Sequence, residues 1–72
     1  MVEYLNTKSS DQGQYTPAGQ LAKGMEVVAL GDYEGVRRGM RGRILDLGRV
    51  VHWVLWANGD KLPIRFNLVR KV

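Results

Sequence analysis

Apolar and polar positions in this chain fall into short runs, and nearly all of them read as strands. Residues 25–30, Met25-Glu26-Val27-Val28-Ala29-Leu30, are β-branched at the centre and bounded by Gly24 and Gly31, which predicts a first strand. Residues 31–42 carry four glycines and predict a long loop with several tight points. Arg43-Ile44-Leu45-Asp46-Leu47 predicts a second strand, closed by a short turn at Gly48-Arg49. Residues 50–56 form the strongest strand. Its alternating sets are Val50, His52, Val54, Trp56 and Val51, Trp53, Leu55. Both sets are largely apolar, as in a strand covered on both faces. Asn58-Gly59 then predicts a type I′ hairpin, because that turn needs φ > 0 at both central residues. Residues 61–65 are the return strand. Pro63 within it cannot donate to a ladder, so its amide side must face an edge or a bulge. Phe66-Asn67-Leu68 predicts a brief 3₁₀ turn before a last strand, Val69-Arg70-Lys71-Val72.

Upstream the character differs. Residues 5–20 are rich in Ser, Gln, Gly, Asn and Thr and lack the apolar surface to offset their ordering entropy. Residues 1–22 are therefore expected to form a flexible N-terminal tail, with Thr16-Pro17 able to start a single helical turn through Leu21-Ala22. The folded domain is expected over residues 23–72. Five short strands in that length suit an all-β, five-stranded small barrel, which protects its edges by closure. The expected core is Val27, Ala29, Ile44, Leu45, Val51, Val54, Leu55, Ile64, Leu68 and Val69. Trp53 and Trp56 are three apart on one strand, so they point to opposite faces. One belongs to the core and one to the surface, and the pattern leaves open which.

Length and composition narrow the chemistry. A chain of 72 residues allows one domain, which buries only roughly 60% of its unfolded surface. There is no cysteine and a single histidine, His52, so neither a disulfide nor a metal site is expected. The N-terminus lacks the apolar core of a signal peptide, and no stretch nears the roughly 18 apolar residues of a membrane helix. A soluble, cytoplasmic protein is expected, with no membrane partner. His52 has no obvious orienting acid or nucleophile, and the only serines, Ser9 and Ser10, lie in the tail. Nucleophile–base catalysis needs such a pair. The expectation is a non-enzymatic protein with no cofactor. Asp32 and Glu34 are expected to pair locally with neighbouring arginines.

The net charge of +4 is unevenly spread. Residues 23–72 carry ten bases and five acids, which gives +5 for the domain. Arg37, Arg38, Arg41, Arg43 and Arg49 fall within residues 37–49, offset only by Asp46. Such a patch attracts polyanions or acidic protein faces. Arginine forks match phosphate bidentately, and glycines let the backbone approach. The expected binding residues are Tyr33, Arg37, Arg38, Arg41, Arg43, Arg49, Trp53, Lys61 and Arg65. The expected partner is nucleic acid, or alternatively an acidic protein surface, with an exposed tryptophan available to stack a base or clamp a peptide.

The order of elements and the glycine placement over residues 23–72 resemble the SH3-like small barrels. Gly24, the 27–30 strand, Gly31, Tyr33, Gly35, Gly39 and Gly42 before Arg43-Ile44 are similar to KOW-motif domains, with Val36-Arg37-Arg38 inserted before the last glycine. Val54-Leu55-Trp56-Ala57-Asn58-Gly59-Asp60-Lys61-Leu62 is similar to Tudor-like domains. The resemblance implies a small barrel that binds nucleic acid or docks onto a protein.

Overall fold

The alternation in the sequence becomes one antiparallel sheet. The computed structural model describes residues 14–72. The strands are β1 (Glu26–Ala29), β2 (Arg41–Asp46), β3 (Val51–Trp56), β4 (Lys61–Arg65) and β5 (Val69–Lys71), in the order β4-β3-β2-β1-β5. Two 3₁₀ turns, Ala18–Gln20 and Phe66–Leu68, complete the elements, and the described residues contain no α-helix. β4 and β5 are the outer strands, and no ladder joins them.

One face of the sheet is the core. Val27, Ala29, Ile44, Val54, Trp56, Ile64 and Val69 are buried there, with His52 beside them. Leu68 is partly buried against this cluster. Three expected core residues turn away. Leu55 and Val51 alternate with buried Val54 and His52, and so face outward. Leu45 follows buried Ile44 and so faces outward by alternation. Ile44 pairs with Val54 and Asp46 with Trp53, so β2 carries an extra residue at this point. The bulge turns Asp46 to the outer face as well. In their place Leu21, Val36 and Trp56 enter the core. Trp56 fits because its partner across β2–β3 is Gly42. A Cβ on Gly42 would sit 2.6 Å from Val54 Cγ1 and 3.0 Å from the Trp56 ring. The indole N–H of Trp56 donates to the Leu62 carbonyl at 3.1 Å.

The turns differ from expectation in an instructive way. At Asn58-Gly59 the loop has three residues: Trp56 N–H donates to Asp60 C=O (2.8 Å) and Gly59 N–H to Trp56 C=O (2.9 Å). Only Gly59 has positive φ, at 94°, which closes a type I turn with a bulge. Asn58 Oδ1 accepts the Asp60 N–H at 3.0 Å, which ties its side chain to the local backbone instead. The type I′ hairpin forms elsewhere, inside the expected loop. Tyr33 and Val36 exchange N–H···O=C bonds of 2.8 and 2.7 Å around Glu34 (φ 44°) and Gly35 (φ 94°). That small hairpin delivers Val36 to the core.

Each outer strand has its own protection. The bonds Trp56 N–H to Asp60 and Phe66 N–H to Val50 set the alternation along β3–β4. Pro63, opposite Trp53, therefore turns its donor-less nitrogen to the free side of β4. On β5, Val72 N–H donates to Glu26 C=O and Leu30 N–H to Leu68 C=O, so Val69 and Lys71 point their groups away from β1. Thr16 takes them: its N–H donates to Val69 C=O (3.0 Å), and Lys71 N–H donates to its Oγ1 (2.8 Å). Tyr15 meets Phe66 edge-on at 5.6 Å. Residues 14–22, which their composition marks as tail, are thus held against the sheet by Thr16, Tyr15 and buried Leu21. The rest of the expected tail, residues 1–13, lies outside the described residues.

Candidate functional site

The outer face of the sheet brings most of the expected binding residues together. Trp53 stands on β3 with 45% of its surface exposed. Directly across from it are Pro63 on β4 and Asp46 on β2. The next outward positions are Arg43 opposite Leu55 on β2, Lys61 opposite Leu55 on β4, and Arg65 opposite Val51 on β4. All three cations are therefore diagonal neighbours of Trp53, at about 7–8 Å between backbones and within reach of long side chains. The arrangement is an exposed aromatic plane with a cation at three corners.

Apolar groups extend this face. Leu45 and Leu55 are exposed beside Trp53, and Val50 is 60% exposed in the connection to β3. A shallow depression of about 240 Å³ opens between β1, β2 and β3, lined by Glu26, Arg41, Arg43, Leu55 and Trp56, among others. Arg41 Nη1 lies 3.7 Å from Glu26 Oε2, and Arg43 Nη1 donates to the Gly24 carbonyl at 3.3 Å. These contacts hold two guanidinium groups along the rim. Lys23 pairs with Asp46 at 3.8 Å. Exposed pairs of this kind contribute about 0–1 kcal/mol to stability and serve here to orient side chains.

The other expected residues sit apart from Trp53. Arg37 and Arg38 are exposed in a turn over residues 37–40, where Gly39 (φ 91°) supplies the left-handed position. Asp32 serves this turn through the backbone, because its Oδ1 accepts the Arg38 N–H at 2.9 Å. Its local partner is thus an amide. Arg49 is exposed in the connection between β2 and β3. Tyr33 is half-buried and packs against the core, which gives it a packing role at this position. Arg70, which the sequence did not single out, joins the outer face. It is the β5 partner of Val28, which is also the β1 partner of Arg41. Strand parity alone would have found it once β5 was placed beside β1.

On the inner face, His52 is fully buried. Its Nδ1 accepts the Gly48 N–H at 3.1 Å, so the proton resides on Nε2, which has no partner among the described residues. Burial pushes the imidazole pKa below its ordinary 6.5. This histidine is a neutral latch on the 47–50 turn. Among the described residues no group of His, Cys, Asp or Glu side chains is placed to hold a metal, and no helix is long and apolar enough to cross a membrane. Comparison with known protein families and with curated proteins finds no match for this chain.

Proposed function

We propose that this chain is an SH3-like small barrel that acts as a non-enzymatic binding module, and that its outer face binds single-stranded nucleic acid. Trp53 stacks an unpaired base, and Arg43, Lys61 and Arg65 contact phosphates. The observation that carries the reading is the exposed Trp53 with those three cations diagonal to it. A sheet-borne aromatic plane within a cationic frame suits bases that are unstacked and a backbone that is charged.

The barrel half of the reading rests on chain length. β4 and β5 are at opposite sides of the sheet, yet only Phe66–Leu68 connects them. Four inter-strand steps in a flat sheet amount to about 19 Å. Four steps of 3₁₀ backbone cover about 8 Å. The sheet must roll for so short a link to suffice, as the resemblance to SH3-like barrels implies.

A second reading has its own observation. Leu45, Leu55 and Val50 are exposed apolar groups that a nucleic acid does not require, and they suit an acidic protein partner with an apolar centre. Such a partner would sit on the face. Strand addition is opposed by Pro63 at one side of the sheet and Thr16 at the other.

The test is a titration of the full chain with single-stranded RNA and DNA, read by Trp53 fluorescence at two salt concentrations. Binding through three to four phosphates should weaken steeply with salt, with a slope of about −0.7 per phosphate. Absence of salt-sensitive binding overturns the nucleic-acid reading. A stoichiometric protein partner that survives nuclease treatment favours the second.

A further inference from the structure

The outer face continues past β2. Arg41 faces Val28 on β1, and Val28 faces Arg70 on β5, so one outward row runs Arg41–Val28–Arg70 across three strands. Beside Arg70 lies a second depression, of about 280 Å³, lined by Val28, Ala29, Leu30, Arg38, Gly39 and Arg70. Among the described residues its lining includes two guanidinium groups and no carboxylate. The backbone that carries Arg38 is fixed at two points. Gly39 N–H donates to Ala29 C=O at 2.8 Å, and Arg38 N–H donates to Asp32 Oδ1 at 2.9 Å. Two planar forks on an aliphatic floor suit a phosphate and repel a cation.

The Arg41–Glu26 pair lines the first depression, and from Arg41 the outward row leads to Arg70 in the second. Along β3 itself the outward residues are Val51, Trp53 and Leu55, which offer a backbone no charge. Cations lie on the strands to either side. Arg41 and Arg43 line β2, and Lys61 and Arg65 line β4, so a polyanion that follows either strand keeps two cations, but it reaches Arg70 on β5 only by crossing the strands. From β3 to β5 is three inter-strand steps, about 14 Å, and the Arg41–Val28–Arg70 row meets β3 at Ala57, four residues or about 13 Å along the strand from Trp53, so the two ends lie about 20 Å apart. At the rise of about 3.4 Å per nucleotide of a stacked strand, that is about six nucleotides, and fewer when the strand is extended.

We infer that the Arg38–Arg70 cleft is a phosphate subsite for the same single strand whose base stacks on Trp53, so that the ligand crosses the sheet from β3 to β5. This inference rests on the nucleic-acid reading above and adds a direction and a length to it. A dinucleotide covers the Trp53 end alone. A stacked tetranucleotide falls short of the cleft, and an octanucleotide fills both.

The experiment compares a dinucleotide, a tetranucleotide and an octanucleotide of thymidine, and the same set of uridine, against the full chain and the double variant R38Q/R70Q. Both arginines are exposed, and neither side chain is among the groups that bury the core. Trp53 quenching reports occupancy. The expected result is that the double variant binds the octanucleotide about tenfold more weakly, with the salt slope reduced by about 1.4, two phosphates at 0.7 each. Its affinity for the dinucleotide should match that of the unmodified chain. Equal loss on both lengths, or loss on neither, overturns the crossing path while leaving binding at Trp53 in place. If no oligomer quenches Trp53 in the unmodified chain, the underlying nucleic-acid reading itself fails. The thymidine and uridine arms differ in the 2′-hydroxyl and the C5-methyl and show whether those groups together matter.

Discussion

Trp53 and Trp56 sit three residues apart on the same strand, one on each face of the sheet. Trp56 is 1% exposed, lies over Gly42, and spends its N–H on the Leu62 carbonyl. Trp53 is 45% exposed and has Pro63 and Asp46 as its cross-strand partners. Strand parity separates the two rings, and the residue opposite each decides its fate. A glycine on β2 leaves a hole that only a large ring fills. A proline and a bulged aspartate leave a ring standing in solvent. One strand thereby holds the fold together with one indole and presents the other to solvent.

The largest expected effect tests that division directly. Trp56→Ala should cost about 3–5 kcal/mol, the usual range for a buried large aromatic, which approaches the whole stability of a small domain. Urea or thermal denaturation by circular dichroism measures it. Trp53→Ala should stay within about 0.5 kcal/mol in the same assay, as surface changes do. Comparable losses from the two would erase the distinction between the faces. Binding should invert the order. Trp53→Ala should lose about 1–3 kcal/mol of affinity for a single strand, roughly 5- to 150-fold.

Much of this was legible before the structure. The run from Val50 to Trp56, the return strand with its edge-facing Pro63 and the 3₁₀ turn at Phe66–Leu68 all follow from local pattern, and local pattern is what period and turn chemistry report. What stayed open depended on pairing. The choice between Trp53 and Trp56 is made by Gly42, fourteen residues away along the chain and adjacent only through the β2–β3 register. Leu45 reads as core by its apolar side chain, but beside buried Ile44 it must face outward, and the bulge that follows turns Asp46 outward too. Val36 reads as loop because Glu34-Gly35 is a less familiar I′ pair than Asn58-Gly59, and the two sites exchanged turn types. Thr16 reads as tail because its two backbone partners, Val69 and Lys71, are over fifty residues away. The arginine cluster was visible as charge. Its division between the Trp53 frame and the Arg38–Arg70 cleft was not, since β5 brings Arg70 in from the far end of the chain.

His52 gives the next effect in size, and it belongs to the inner face alone. Its folded pKa is below the ordinary 6.5 because the ring is buried. Between those two values the unfolded chain binds a proton that the folded chain refuses. Stability is therefore full above about pH 6.5 and falls as pH drops through the window below it, by at most about 1.4 kcal/mol per pH unit. Below the folded pKa the loss stops growing. Protonation would also place a donor on Nδ1 against the Gly48 N–H. Melting temperature followed from pH 7.5 to about 5 should decline, and His52→Leu should flatten that part of the profile, since this is the chain's only histidine. Ligand binding at Trp53, read at temperatures well below melting, should show no matching step at that pH. If it does, the inner latch and the outer face are coupled.

The smallest effect concerns Glu26, which shares the outer face with Asp46. Glu26 lies 3.7 Å from Arg41, and both side chains are substantially exposed. An exposed pair contributes about 0.2–1 kcal/mol, so Glu26→Gln should leave stability almost unchanged. On the outer face it removes the carboxylate that lines the first depression. Affinity for a single strand long enough to cross from β3 to β5 should then rise by up to about fivefold at low salt, and the gain should vanish near 1 M salt, where screening acts within about 3 Å. A dinucleotide confined to the Trp53 end should gain less, because Glu26 lies on the path beyond β2. The opposite sign is equally informative. Weaker binding in Glu26→Gln would mean that the carboxylate holds Arg41 in a productive orientation, and Arg41→Lys, which keeps the charge but loses the fork, should then weaken binding by a similar factor. The sign of that one substitution thus separates a face that works by net charge from one that works by the placement of a single guanidinium.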